Sequence, residues 1–196
     1  ATNKPLSVLL NEKLIQPLGM KDTSFVVPAS KVARIAEPLL IEPLTGGPMA
    51  KVLDLTKPMG NESGGAGLAT TADDYLRFCQ MLLNGGELDG QRVLSPKTIA
   101  HMTANHLTPE IKNMVAAVEP HRDGFGFGLG VAVRTTAGLS AVPGNAGEYT
   151  WNGAFGTAFF ADPKEKLVVV FGTAAPGDLR KYYREQIQDL VYGAMV

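Results

Sequence analysis

Residues 148–157 read EYTWNGAFGT and contain the only tryptophan of the 196-residue chain. Tyr149 and Trp151 begin the alternation of a strand, which Gly153 and Gly156 then interrupt. Glycine inside a strand loses backbone entropy and packs nothing, so it usually marks a bulge or a place where another group approaches the backbone. The segment therefore predicts a strand end at which the backbone bends or a ligand lies against it. Taken alone, it is more typical of a core tryptophan beside a bulge.

Other residue patterns that carry chemistry are missing from this sequence. His101, His106 and His121 lie within 95–122, and no Cys/His cluster has the spacing of a zinc site. The sequence contains no G-x-S-x-G turn and no phosphate-binding P-loop. We therefore expect no metal and no cofactor, and we interpret each histidine as a partly exposed loop residue. Spacing leaves a Ser-His-Asp triad open, although no serine sits in a strained strand-to-helix turn.

Composition narrows the class of protein and of partner. Apolar residues make up 45% and charged residues 19%, which is ordinary for a folded domain. The net charge is −1 and no basic block occurs, so nucleic acid and anionic membrane are poor candidates as partners. No apolar run approaches the roughly 20 residues that span a bilayer, so we expect no membrane span. Cys79 is the only cysteine, which rules out an internal disulfide and leaves the cellular compartment undecided.

The elements that would position the glycine-interrupted segment fall into two parts, a mostly helical and irregular part over 1–122 and a sheet part over 123–196. In the first, a helix through Leu14 ends at Pro17, 26–66 is irregular, and a capped helix follows Thr71 and stops at Gly85. Its predicted buried stripe is Tyr75, Phe78, Cys79, Leu82 and Leu83. Asp89-Gly90 predicts a two-residue hairpin turn, and Ser95-Pro96 the start of a further helix.

The second part predicts strands near 125–135, 147–161 and 166–173, antiparallel in sequence order, with 167–172 as a central strand. The glycine face of 125–133 should let another group sit tightly against the sheet. A helix from about 178 to 193, capped by Asp178, follows. Its predicted buried stripe is Leu179, Tyr182, Tyr183, Ile187, Leu190 and Val191. The fold class is therefore α+β, with antiparallel strands, a C-terminal helix and part of a helical region.

The order of the motifs resembles the C-terminal half of a β-lactamase-related serine hydrolase. The motifs are PLGM-x-x-T-x-F, GG-x-GL-x-TTA-x-DY-x-RF-x-x-MLLNGG, G-x-GFGLG and W-x-G-x-x-GT-x-F-x-x-DP, followed by a C-terminal helix. The family comprises class C β-lactamases, DD-peptidases and the esterases that share their fold, and the resemblance covers nearly all of the chain. It implies a partial β-lactamase/transpeptidase-like fold and acyl-transfer chemistry.

In such enzymes the serine of S-x-x-K is the nucleophile, its lysine helps to activate it, and a Y-x-N or S-x-N motif supplies a further base. No lysine in this sequence has a serine three positions before it, and no tyrosine has an asparagine two positions after it. Both motifs would precede PLGM. We therefore expect no catalytic residue in this chain, and we expect the missing N-terminal half of the same domain as its partner.

The third family motif, K-T-G, has a counterpart here. Trp151-Asn152-Gly153 resembles the W-G-G of family VIII esterases, with asparagine at the middle position. The resemblance implies that the backbone N–H of Ala154 is one of two oxyanion donors and that the acyl group lies against Gly153. Tyr149 is a further candidate for lining the pocket.

The resemblance thus implies an acyl-transfer serine hydrolase, most consistent with a carboxylesterase for short neutral esters. Tryptophan in place of lysine removes the cation that would meet a substrate carboxylate. The alternatives are a β-lactamase or D-alanyl-D-alanine carboxypeptidase, an acyltransferase, and a catalytically inactive penicillin-binding-like module. In each case the ligand is a small ester or amide, and this chain alone should be inactive.

Overall fold

A computed structural model describes residues 2–51, 53–111 and 114–196. Helix α1 (Leu6–Leu10) continues into a π-helical turn at Asn11–Ile15, and a 3₁₀ helix occupies Ala29–Arg34. The further elements of the first half are α2 (Ala72–Leu83), the hairpin of β1 (Glu87–Leu88) and β2 (Gln91–Arg92), and α3 (Pro96–Met102). Two short 3₁₀ helices, Met114–Ala117 and Pro120–Arg122, then lead into the sheet.

The local signals for these elements are confirmed with one change. Asp89 and Gly90 both adopt positive φ, +50° and +77°, as a two-residue hairpin turn requires. Thr71 Oγ1 accepts the Asp74 N–H at 3.3 Å and caps α2, but the Asp74 carboxylate does not complete a capping box. The Asp74 carboxylate accepts instead from Thr23 Oγ1 at 2.8 Å and from the backbone N–H of Asp22 at 2.6 Å. These bonds connect the start of α2 to the segment after PLGM.

The second half forms an antiparallel meander of five strands in the order β3-β4-β5-β6-β7. The strands are β3 (Phe125–Phe127), β4 (Ala132–Arg134), β5 (Tyr149–Asn152), β6 (Ala158–Asp162) and β7 (Leu167–Phe171). The α+β class and the antiparallel sequence order are confirmed. The expected number of strands was wrong, because 125–135 and 147–161 are each a hairpin of two strands rather than one long strand.

Glycine explains why 125–135 forms two strands instead of one. The chain reverses between β3 and β4, where Gly130 has φ +82° and the Gly128 N–H donates to the carbonyl of Val131 at 2.8 Å. Leu129 is consequently half-exposed at the turn instead of facing the core. A glycine at every second position reads as one face of a strand, yet the same residues make a tight reversal inexpensive.

Helices cover both faces of this sheet. On one face Tyr75 of α2 meets Phe159 edge-on, with ring centroids 5.6 Å apart. Phe160, the next residue of β6, points to the other face and stacks at 5.9 Å on Tyr192 of α4 (Leu179–Gly193). The apolar core lies on the α2 side and consists of Leu18, Met20, Cys79, Met81, Leu82, Ile99, Val131, Val133, Tyr149, Phe159 and Ala161.

The face of the sheet under α4 carries buried charged side chains beside Phe160. The predicted stripe of that helix is therefore only partly confirmed, with Leu179 buried as predicted. Arg134 and Glu148 are buried there with 3.4 Å between their charged groups, and Gln188 of α4 donates to Glu148. Burial raises the pKa of Glu148 even though Arg134 counteracts it. Because buried charges need polar partners, α4 buries polar side chains, whereas Tyr182 and Leu190 of the predicted stripe are exposed.

Two further expectations about the second half are corrected. Strand β7 was expected at the centre of the sheet, but it pairs only with β6 in the described part of the chain, and its residues are partly exposed. Asp178 precedes α4, but its carboxylate accepts no capping hydrogen bond from the helix. It pairs instead with Lys181, whose Nζ lies 3.1 Å from Oδ1. No helix in the described ranges is long and apolar enough to cross a membrane.

Candidate active site

Strand β5 carries the W-x-G motif at a point where its ladder to β4 has ended. Along β6 it is paired at all four residues, but along β4 it is paired only at Tyr149 and Thr150. Strand β4 begins only at Ala132, directly after the turn from β3, so it does not extend far enough to pair with Trp151 and Asn152. The backbone edge from Trp151 onwards therefore faces a groove instead of a neighbouring strand.

The turn that follows β5 is tight. The N–H of Gly153 donates to the carbonyl of Thr157 at 2.8 Å, and the N–H of Gly156 donates to the carbonyl of Gly153 at 3.1 Å. A Cβ at Gly153 would lie far inside the van der Waals radius of Thr157 Oγ1, and Gly156 has φ +100°. A side chain at Gly153 would thus meet Thr157, and the expectation that the acyl group lies against Gly153 stays a prediction.

Two arginines of α4 donate hydrogen bonds to carbonyl groups of this turn. Arg184 Nη2 donates to the carbonyl of Gly153 at 2.6 Å, and Arg180 Nη1 donates to the carbonyl of Ala154 at 2.7 Å. Arg184 is buried and Arg180 is partly buried. These bonds join the last helix of the chain to the loop between β5 and β6.

The N–H of Ala154 points away from these contacts. Ala154 is exposed and lines the groove, and its N–H has no acceptor among the described residues. The carbonyl of the same peptide unit, that of Gly153, is bound by Arg184 on the opposite side. An unpaired backbone donor at the surface of a groove can bind an anionic oxygen of a ligand.

Trp151 and Asn152 share a third arginine. The guanidinium carbon of Arg122 lies 5.6 Å from the ring centroid of Trp151. In the amide orientation that satisfies both ends of the Asn152 side chain, its oxygen accepts from Arg122 Nη2 at 2.7 Å. Asn152 is therefore directed toward Arg122, and Trp151 supplies an aromatic wall that is 47% exposed.

The groove beside this edge has a volume of about 560 Å³. Its walls are mostly apolar, and Phe127 meets Trp151 edge-on at 5.2 Å. The lining residues are Leu107, Met114, Val115, Glu119, Arg122, Phe125, Gly126, Phe127, Ala132, Trp151, Asn152, Gly153, Ala154, Arg180 and Arg184. An apolar groove with a few convergent polar groups is typical of a small-molecule site.

One carboxylate and two guanidinium groups lie close together in the lining of the groove. Glu119 lies 3.7 Å from Arg184 Nη1 and 3.8 Å from Arg122 Nε. Burial, together with the cations Arg122 and Arg184, lowers the pKa of the buried His121 to about 4, so its ring is neutral at pH 7. His121 was expected in an exposed loop, and its burial shows that this expectation was wrong.

The structure brings four of the five predicted site residues together. Trp151, Asn152, Gly153 and Ala154 line the groove, whereas Tyr149 does not, because it is 2% exposed and packs in the core on the α2 side. The glycine face of β3 is covered by the segment after α3, since a Cβ at Gly126 would collide with the side chain of Asn105.

Sequence reasoning missed the arginines Arg122, Arg180 and Arg184 and the acid Glu119. One signal was present in the sequence: Arg180 and Arg184 are like charges one helical turn apart, a spacing that disfavours an isolated helix. No group of three or more His, Cys, Asp and Glu side chains in the described ranges could hold a metal ion.

Comparison with known proteins agrees with this fold. The family model described as β-lactamase matches residues 1–192, so the chain belongs to the β-lactamase family. Protein Rv1367c of Mycobacterium tuberculosis is 38% identical over 177 residues, which are 85% of this chain and 43% of that protein. Esterase EstB of Burkholderia gladioli is 29% identical over 191 residues, covering 88% of this chain and 45% of the esterase.

A solved structure shows the same fold. EstCE1, described as a hydrolase with promiscuous acyltransferase activity, superposes with a TM-score of 0.76 at 29% identity, covering 97% of this chain and 51% of EstCE1. The chain thus spans about half the length of the relatives that it matches.

Proposed function

We propose that this chain forms the oxyanion-binding strand and the acyl groove of a serine hydrolase that acts on neutral carboxylic esters. The observation that carries the proposal is the N–H of Ala154, which lies at the edge of the groove without an acceptor in the described chain, next to the exposed wall of Trp151. EstB and EstCE1, named as an esterase and a hydrolase, support the choice of reaction.

The reaction assigned to this site is acyl transfer through a covalent intermediate. A serine Oγ attacks the ester carbonyl, the carbonyl oxygen gains negative charge, and the alcohol leaves with a proton. The N–H of Ala154 would bind the charged oxygen, and a second N–H, that of the nucleophilic serine, would complete the pair. One such donor contributes on the order of 3–4 kcal/mol to transition-state stabilisation.

The nucleophile of this proposal lies on a segment outside residues 1–196. The sequence contains neither S-x-x-K nor Y-x-N, and the chain covers about half of its relatives. We call the assembly of this chain with the segment that carries the nucleophile the complete enzyme. The chain alone should therefore not turn over an ester.

Neutral esters suit the wall that Trp151 forms. Its indole offers apolar surface at the place where the lactamase relatives have a lysine, and burial of a neutral group contributes about 25 cal/mol per Å². The arginines modify this preference. Arg122 and Arg180 also line the groove, so a carboxylate-bearing amide or lactam is the second candidate substrate.

The substitution Ala154→Pro tests the assignment. Ala154 follows Gly153 in a turn closed by the Gly156 N–H, the position at which proline is favoured in type I turns, so proline removes the donor and suits the backbone. In the complete enzyme we expect kcat for p-nitrophenyl acetate to fall about 10²- to 10³-fold. Ala154→Ser, which keeps the N–H, is the matched control. An Ala154→Pro enzyme as fast as the control would contradict the proposed role.

A further inference from the structure

The arginines Arg180 and Arg184 hold two consecutive carbonyl groups of the turn after β5. They lie four residues apart in α4 and therefore on one face of the helix. Arg184 binds the carbonyl of Gly153 at 2.6 Å, and Arg180 binds that of Ala154 at 2.7 Å. Both bonds connect residues far apart in sequence, by 31 and 26 positions.

This arrangement is costly as a purely structural feature. Arg184 is buried among other cations, Arg180 and Arg122, and burial lowers its pKa to about 10. Its carboxylate partner, Glu119, lies 3.7 Å away and also contacts Arg122. Removal of a guanidinium from water is costly even where it has partners, and an apolar side chain of similar volume often stabilises such a site as well or better. The fold thus keeps a guanidinium where packing alone would favour its absence.

The peptide between Gly153 and Ala154 explains what the guanidinium can do. A peptide bond is planar and trans, so its C=O and N–H point in opposite directions. When Arg184 binds the carbonyl of Gly153, the N–H of Ala154 must point away from that guanidinium, at a residue that is exposed and lines the groove. We infer that Arg184, assisted by Arg180, is a positioning residue that fixes the N–H of Ala154 in the direction required to bind an oxyanion.

The inference rests on the proposed function for its catalytic consequence, but the geometry is separate from catalysis. The turn itself supplies a competing constraint, because the Gly156 N–H also donates to the carbonyl of Gly153, at 3.1 Å. The arginine bond is shorter and charge-assisted, and such bonds are roughly twice as strong as neutral ones. Removal of the guanidinium should therefore loosen the peptide even though the turn remains.

Nuclear magnetic resonance on the ¹⁵N-labelled chain of residues 1–196 tests the geometry without any turnover. The Ala154 amide should show the order parameter of rigid backbone, about 0.85, in the wild type. In Arg184→Gln its resonance should move and its order parameter should fall toward about 0.6. Arg184→Lys, which keeps a cationic donor, should recover part of the loss. Lys181→Gln, on the same helix and paired with Asp178, is the control and should leave the Ala154 amide unchanged.

Kinetics on the complete enzyme test the consequence. A donor that is misplaced instead of removed should lower kcat about 10- to 100-fold, with KM nearly unchanged because the ground-state carbonyl binds weakly. Arg180→Gln, at a less buried site, should give a smaller effect of the same kind and serves if Arg184→Gln fails to fold. An unchanged Ala154 amide in the folded Arg184 and Arg180 variants would overturn the inference. A displaced amide in a complete enzyme without esterase activity would uphold the positioning and refute the proposed function.

Discussion

Arg122 covers one side of the Trp151 indole, with its guanidinium carbon 5.6 Å from the ring centroid. The same guanidinium binds the side-chain oxygen of Asn152 at 2.7 Å. The aromatic wall of the groove is therefore supported by a buried cation, and the interaction between cation and ring contributes about 0.5–2 kcal/mol. The wall cannot be changed without an effect on Arg122.

Trp151→Lys should change substrate selectivity. A lysine ammonium would meet a substrate carboxylate, and it would remove the apolar surface that a neutral ester covers. In the complete enzyme, kcat/KM for a carboxylate-bearing cephalosporin relative to that for p-nitrophenyl acetate should rise by about tenfold, which is about 1.4 kcal/mol. Since the new cation lies beside Arg122, a lower melting temperature should accompany the change.

The control for this prediction is Trp151→Met, which shortens the wall without adding charge. It should lower ester hydrolysis while leaving the selectivity ratio close to that of the wild type. If the ratio is the same in the lysine and methionine variants, Trp151 acts by packing alone, and its assignment to the substrate site is wrong.

Gly153→Ala should destabilise the turn after β5. The added Cβ would overlap Thr157 Oγ1, so Thr157 must change its rotamer or the strand end must shift, at a cost of about 1–3 kcal/mol in the free energy of unfolding. Urea denaturation of this chain measures the loss. Combination with Thr157→Ala removes the obstructing oxygen and should recover most of the stability. Gly172→Ala, where a Cβ meets nothing within 4 Å, should be close to neutral.

Protonation of His121 should destabilise the fold in acid. Burial, with Arg122 and Arg184 nearby, lowers the pKa of this histidine to about 4, whereas its unfolded pKa is near 6.5. Between these values the unfolded chain binds the extra proton, so stability is lost as pH falls from about 6.5 to 4, by about 2–3 kcal/mol. In His121→Gln, the free energy of unfolding should vary less over this range. An equal pH dependence in both proteins would count against a neutral buried His121.

Cys79 should be unreactive in the folded chain. Its side chain is fully buried in the core on the α2 side, and burial raises the pKa of the thiol, so almost no thiolate forms at pH 8. A chromogenic disulfide reagent should label none of the protein under native conditions and one thiol per chain in concentrated urea. Rapid labelling of the native protein would show that α2 does not pack on the sheet as described.

The sequence by itself determined the features whose signals are local. The stop of α2 at Gly85, the Asp89-Gly90 turn and the cap of α3 at Ser95 were all predicted, because a few neighbouring residues specify each of them. The family also followed from the sequence, since the order of short motifs persists where identity is low. The resemblance to that family implied Trp151 and Ala154 as site residues, and both line the groove.

Tertiary structure alone decided which side chains meet at the site. Arg184 and Gly153 are 31 positions apart in the sequence and meet only in the fold. The helix face with Tyr182 and Leu190 is apolar in sequence, but the sheet beneath α4 carries buried Arg134 and Glu148. Charges select their partners in three dimensions, because the cost of burial depends on which groups surround them. Periodicity in a sequence shows which residues share a face of an element, but it does not record whether the surface opposite that face is apolar or charged.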